Sequence, residues 1–267
     1  MCAKAVAYPD DEEKLISLIS ILDEQDVPYI LVGGMSNILL KSSIYNGVII
    51  KTDKMASKNE AENIVTLGCG VRTAAAIQSM AQKGFGGMEG LTGIPGTVGG
   101  MVKQNAGAFG YEISDRFKHA VCYIPQQRKV VRLSKDEMQF SYRFSMLAEN
   151  KAVLLSSTFE FIPKEREEIL ISIRDFRKQR SESQPVEFPS LGSTFKRYNG
   201  VSAGFYIDRA GLKGFSIGGA AVSEKHAGFI INTGCATADD YLRLIDYVKN
   251  KVYAVFGIEL TEEIEII

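Results

Sequence analysis

Residues 90–110 read GLTGIPGTVGGMVKQNAGAFG and set Gly90, Gly93, Gly96 and Gly99 around a single proline, Pro95, with almost no charge. A helix should not survive such a run, since an interior glycine costs about 1 kcal/mol relative to alanine and a proline about 3. The spacing predicts loop, tight turn or closely approached backbone with a small polar group against it. A second small-residue stretch, LVGGMSN at 31–37, ends a β-like run in the same manner. Consecutive backbone N–H groups with little side chain to shield them form nests that bind phosphate oxygens without a lysine. Either stretch alone serves close packing as readily as ligand binding. Two in one domain point to a dinucleotide.

A second chemical signal lies in IELTEEIEI, where Ile258, Leu260, Ile264 and Ile266 share one parity and Glu259, Thr261, Glu263 and Glu265 the other. A strand of this pattern has one core face and one carboxylate face. Most such faces are simply solvated, and a carboxylate turned into an interdomain cleft is the sharper alternative. His119 and His226 have no second metal-type ligand at helical spacing, so they read as satisfied structural histidines and no metal site is expected. The sequence holds no nucleophile elbow, no P-loop and no dinucleotide fingerprint between a strand and a helix, which removes the serine hydrolase, P-loop and Rossmann readings.

The chain as a whole narrows the partner further. Its 267 residues carry 31 basic and 32 acidic side chains, without a basic run. The electrostatic case for nucleic acid or an anionic membrane surface is missing, and a small molecule is the expected partner. Cys2, Cys69, Cys122 and Cys235 lie in neither redox nor zinc spacing and read as buried or incidental thiols. With no signal peptide and no apolar run near the roughly 20 residues a span requires, a cytoplasmic protein is expected.

The elements that must hold these residues are α+β in character. LISLISILDEQ and RTAAAIQSMAQKG read as helices, and YILVGG, GVIIKT and NIVTLGCG as strands between them. VCYIP and KVVRLS flank a polar turn, SKDE carries a capping-box pattern from Ser134 to Glu137, and AVLLSSTFEFIP alternates as a strand. KEREEILISIRDFRKQR places Ile169, Leu170, Ile173 and Phe176 on one helical face and runs out into SESQPVEFPSLGS, the expected domain boundary. The expected domains are 1–179 and 180–267. Beyond the boundary, GFYIDRAG reads as a helix stopped at Gly211, FSIGGAAVSEKHAGFIINTG as a pair of strands, and TADDYLRLIDYVKNKVYAVFG as a helix capped by Thr237 and stopped by Gly257.

LVGGMSNILL, MEGLTGIPGTVGGMVKQNAGAFG, SYRFS, QPVEFPSLGSTFKR, AGLKGFSIGGAAVSEKHAGFIIN and FGIELTEEIEII, in this order, resemble the UDP-N-acetylenolpyruvoylglucosamine reductase family, flavoenzymes of bacterial peptidoglycan precursor synthesis. The short connection between SYRFS and QPVEF resembles the compact branch that lacks an inserted substrate-capping loop. The resemblance implies an FAD-binding domain of two small α/β subdomains, of the PCMH type seen in vanillyl-alcohol-oxidase-like proteins, followed by a carboxy-terminal α/β substrate domain. It implies noncovalent FAD against Gly33, Gly34, Ser36, Asn37, Gly93, Ile94, Pro95, Gly96, Thr97, Gly100, Asn105 and Gly107.

By the same resemblance NADPH reduces the flavin, and a UDP-sugar enolpyruvyl ether is then reduced in the same site. Arg143 in SYRFS matches the family arginine, Glu263 in TEEIE its carboxy-terminal glutamate, and Ser193 in GSTFK the serine that protonates the substrate carbon. Phe109 stands where the family often has tyrosine, Thr261 where it has glutamate, and Ser183 where it has a basic residue. The chain opens with MCAKAVAYPDDEEKL, where family members usually carry an earlier T-x-x-x-G-G segment. A flavin- or nucleotide-binding protein of the same fold that has lost turnover through amino-terminal truncation is the alternative. A flavin oxidase on a related fold is a third reading, disfavoured because the glycine tract holds no histidine or cysteine for covalent attachment.

Overall fold

The computed structural model describes residues 2–42, 44–149 and 151–267, the Cys2 side chain excepted. The chain falls into two compact units. The larger comprises Cys2–Met35 and Tyr45–Arg177, and the smaller comprises Ser36–Ile44 and Lys178–Ile267.

In the larger unit, helix α1 (Glu12–Glu24) begins where Asp11 accepts the Lys14 N–H at 2.7 Å, and it buries Leu15, Ile19 and Leu22 along one face. It joins a three-stranded sheet ordered Cys2–Ala7, Ile44–Lys51, Tyr29–Val32, the last two running parallel. A five-stranded antiparallel sheet follows, ordered Lys129–Ser134, Phe117–Ile124, Val153–Glu160, Ile64–Gly68, Lys58–Ala61. Its middle strand is buried on both faces from Val153 to Phe159. The expected alternation of AVLLSSTFEF is therefore absent from the burial, because this strand is covered above and below. Ser134 and Glu137 do exchange capping-box bonds of 2.8 and 3.3 Å, but they close a turn rather than open a helix.

Helix α2 (Thr73–Gln82) packs Ala76, Ile77 and Met80 into this core. The glycine tract corrects the expectation drawn from its composition, for Val98–Lys103 forms a short helix, α3, with Gly99 and Gly100 inside it. Packing supplies what propensity withholds. Val98, Met101 and Val102 are at most 3% exposed, and Gly99 lies so close to Cys69 that a Cβ there would stand 3.1 Å from the Cys69 carbonyl.

Helix α4 (Arg166–Ser183) crosses the division between the units at Arg177 and Lys178. In the smaller unit an antiparallel sheet runs Ser190–Ser193, Phe229–Asn232, Ala220–Val222, Ser216–Ile217, so the expected pair of strands is three. Helix α5 (Ala203–Arg209) starts at Ser202, whose hydroxyl accepts the Gly204 N–H. Helix α6 (Ala238–Phe256) has the anticipated termini: a capping box between Thr237 and Asp240, and Gly257 left-handed at φ 67°. Of the last alternating stretch only Glu265–Ile266 is laddered, parallel to Ile38–Leu39, while Ile258, Leu260 and Ile264 are buried as their parity requires.

Candidate active site

In the larger unit the two glycine stretches meet. A Cβ on Gly33 would collide with Thr97 Oγ1, and one on Gly34 would stand 3.1 Å from Gly96 Cα and 3.0 Å from Arg72 Nη1. The turn that follows the strand Ile64–Gly68 stitches the tract in place. The Val98 N–H donates to the Val71 carbonyl at 2.9 Å, the Gly99 N–H to that of Cys69 at 2.8 Å, and Arg72 forms an antiparallel bridge with Thr97. Gly93 and Gly96 hold φ of 87° and 138°, a region closed to most side chains, with Ile94 and Pro95 carrying the chain between them.

Thr97 stands at the N-cap of α3 and does not cap it. Its Oγ1 is buried without a hydrogen-bond partner among the described residues, as are Oγ1 of Thr92 and of Thr73. Gly100 faces open space where a Cβ would sit. Unspent hydroxyls beside a cradle of glycines fit a flavin dinucleotide, whose oxygens would take the donors that the protein leaves unused. Arg72, Thr73 and Thr92 were not singled out in the sequence. The signal for the first two is their place in GCGVRT, a turn between a strand and a helix directly opposite the tract.

Arg143 occupies the tip of a tight hairpin in which Ser141 and Phe144 exchange two backbone hydrogen bonds of 3.1 Å. Its backbone is left-handed at φ 54°, its Nη2 donates to the Gly107 carbonyl at 3.0 Å, and its guanidinium lies 5.1 Å from the centre of the Tyr142 ring. Asn105, 1% exposed, gives its amide hydrogens to Glu112 Oε2 at 2.9 Å and the Ser141 carbonyl at 3.0 Å, and accepts the Ser114 N–H at 3.3 Å. Ser145 Oγ adds a bond to the Lys103 carbonyl at 2.9 Å. Asn105 and Gly107 are thus committed to seating the arginine hairpin on the segment after α3.

Ser193 and Glu263 both belong to the smaller unit. Ser190 pairs with Ile231 and Ser193 with Phe229, so one strand carries an extra residue, and Gly192 at φ 80° absorbs it. Such a bulge re-aims the next side chain. The Glu263 N–H donates to the Thr194 carbonyl at 2.8 Å, which brings Ser193 and Glu263 onto neighbouring chains. Asn37 Nδ2 donates to the Glu263 carbonyl at 3.2 Å, and the Glu265 N–H to the Asn37 carbonyl at 2.8 Å. The Ser36–Asn37 end of the glycine turn and the carboxylate stretch, read from the sequence as separate signals, are one local structure.

Burial pushes the Cys69 and Cys122 thiols up to about 12, which keeps them neutral, and Cys235 is exposed. His119 Nδ1 stands 3.1 Å from Arg132 Nη2 and its Nε2 3.0 Å from Thr158 Oγ1. His226 Nδ1 accepts the Gly228 N–H at 3.1 Å. No helix among the described residues is long and apolar enough to cross a membrane.

Comparison with known proteins adds independent observations. Residues 3–125 match a family described as an FAD binding domain, and residues 184–267 one described as the UDP-N-acetylenolpyruvoylglucosamine reductase C-terminal domain. A UDP-N-acetylenolpyruvoylglucosamine reductase of Caldicellulosiruptor bescii is 42% identical over 267 residues, 99% of this chain and 85% of that protein. One of Caldanaerobacter subterraneus is 38% identical over 271 residues, with 99% and 87% covered. The crystal structure of the corresponding reductase of Thermus caldophilus superposes with a TM-score of 0.82 at 28% identity, covering 98% of this chain and 90% of that one. The α+β class with an FAD-binding domain, expected from the sequence, is borne out.

Proposed function

This chain belongs to the UDP-N-acetylenolpyruvoylglucosamine reductase family, and from that membership we infer that it reduces the enolpyruvyl ether of UDP-N-acetylglucosamine enolpyruvate to UDP-N-acetylmuramate. It is an FAD-dependent oxidoreductase of peptidoglycan precursor synthesis with NADPH as donor. The observation that carries the reading is 42% identity sustained over 99% of the chain. A binding protein without turnover is not favoured. The short connection between the arginine hairpin and QPVEF supports the compact branch of the family.

Residues 1–179 would hold the cofactor and 180–267 the substrate. Bound FAD supplies a hydride, taken from NADPH, to the enol-ether methylene carbon of the substrate. The adjacent carbon then carries charge conjugated with the carboxylate, and donors fixed in advance stabilise it best. Arg143 has the planar fork for that carboxylate, and its root is immobilised by the Ser141–Phe144 hairpin. Glu263 would stabilise the anion only in its protonated form or paired with a cation. Ser193, re-aimed by its bulge, would hand its proton to the carbanionic carbon and complete the saturated ether.

The test is twofold. Purified protein saturated with FAD should oxidise NADPH beyond one equivalent per flavin only when the enolpyruvyl substrate is present, with one product per NADPH, and heat denaturation should release intact FAD. Ser193→Ala should leave flavin reduction by NADPH intact while slowing reoxidation by the substrate about 10²–10⁴-fold. Absence of any substrate-dependent NADPH oxidation would overturn the activity; unchanged reoxidation in the variant would overturn only the role of Ser193.

A further inference from the structure

We propose that the Arg72 guanidinium binds a phosphate oxygen of FAD, adding a side-chain cation to a cradle otherwise built from main chain and hydroxyls. The inference rests on the reading of this chain as a flavoenzyme. Three observations converge on it. The position of a Cβ on Gly34 is 3.0 Å from Arg72 Nη1 and 3.1 Å from Gly96 Cα, so the guanidinium lies where the two glycine stretches approach each other. The backbone of Arg72 is pinned there by its bridge to Thr97 and by the bond from the Thr73 N–H to the Gly96 carbonyl at 3.4 Å. The side chain nonetheless remains 58% exposed.

The third observation is Asp53. Its Oδ2 lies 3.0 Å from Lys51 Nζ, whereas its Oδ1 is buried without a hydrogen-bond partner among the described residues and stands 3.9 Å from Arg72 Nη2. At that distance the carboxylate attracts the guanidinium without occupying its N–H groups. Arg72 is held near the glycines with no hydrogen bond from its guanidinium among the described residues, and five N–H groups in a planar fork match the oxygens of a phosphate. A surface cation with no ligand would contribute little and would have no reason to sit in this crossing. Two phosphates share the chemistry, the FAD diphosphate and the 2′-phosphate of NADPH, and we assign the first because the contacting glycines are those of the flavin cradle.

The experiment titrates flavin-free wild type, Arg72→Gln and Arg72→Lys with FAD and with riboflavin, which has no phosphate, following flavin fluorescence at low and high salt. In Arg72→Gln the FAD dissociation constant should rise about 10- to 100-fold, as expected for loss of a hydrogen bond to a charged group. Riboflavin binding should hold, the salt dependence should flatten, and Arg72→Lys should recover part of the affinity. Unchanged FAD affinity in Arg72→Gln overturns the inference, including the case in which only the KM for NADPH rises, which would assign the guanidinium to the 2′-phosphate. Equal losses for FAD and riboflavin overturn it too, as a structural effect, and thermal melts of the flavin-free variants identify any misfolding. Wild-type protein that takes up no FAD would overturn the flavoenzyme reading itself.

Discussion

Helix α6 and helix α3 both begin at a threonine, and the two threonines do different things. Thr237 accepts the Asp240 N–H at the head of a 19-residue helix whose Leu244, Ile245, Val248 and Val252 fill the core of the smaller unit. Thr97 heads a six-residue helix containing two glycines, caps nothing, and keeps a buried hydroxyl unpaired beside Gly33. In α6 local sequence and tertiary packing agree. In α3 packing alone holds the helix, and the side chains that would stabilise it locally are missing where the proposed cofactor would need room. The contrast separates residues that serve stability from residues we propose for binding.

Replacing each threonine by alanine should sharpen this difference most. Thr237→Ala should lower stability by about 1 kcal/mol, the usual cost of an N-cap, with FAD affinity unchanged. Thr97→Ala should cost no capping energy, since an unsatisfied buried hydroxyl is removed, yet it should weaken FAD binding about 5- to 10-fold. Chemical denaturation of the flavin-free proteins and FAD titration give the two readouts. A stability loss for Thr97→Ala equal to that of Thr237→Ala would erase the comparison.

A smaller effect of opposite sign is expected at Gly100, where a Cβ meets nothing within 4 Å. Gly100→Ala should stabilise the flavin-free protein by about 0.5–1 kcal/mol through helix propensity, while loosening FAD. If the variant gains stability and binds FAD as tightly as wild type, Gly100 does not line the flavin.

The smallest effect distinguishes the units by pH. His119 in the larger unit and His226 in the smaller are both held below the usual 6.5, chiefly by burial and secondarily by neighbouring cations: Arg132 and Lys118 at His119, Lys213 at His226. Because the folded protein favours the neutral rings, their stabilisation is present in full above pH 6.5 and is lost as the pH falls through the lower folded values. His119→Gln should therefore reduce the acid-induced drop in melting temperature between about pH 7 and about pH 5 without affecting the drop from His226. An unchanged pH profile would mean that neither burial nor the neighbouring cations hold the His119 ring below its usual value.

What could be read from the chain was whatever lies within one helical turn of itself. The caps of α6, the buried stripe of α1 and the parity of Ile258, Leu260 and Ile264 are local, and each is present in the structure. Helix α3 departs from the sequence expectation because glycine propensity is also local, whereas the surfaces that bury Val98 and Val102 come from elsewhere. The work of Asn105 escaped for the same reason: its bond to Ser141 spans 36 residues. The bulge at Gly192 depends on a register with Phe229 that no spacing within SLGS reveals. Arg72 draws no attention in the sequence because the glycines it approaches, Gly34 and Gly96, are distant from it along the chain.

The bond between Asn37 and Glu263 joins residues 226 positions apart. During synthesis the segment Ser36–Ile44 leaves the ribosome early, yet its place in the smaller unit requires strand partners made at the opposite end of the chain. A nascent polypeptide can build its first helices and sheets as they emerge, but long-range pairing must wait for both partners. Asn37 and Glu263 therefore come together only after Glu263 itself has been made and has cleared the ribosome, and a chain cut short before Glu263 leaves the glycine turn without this anchor.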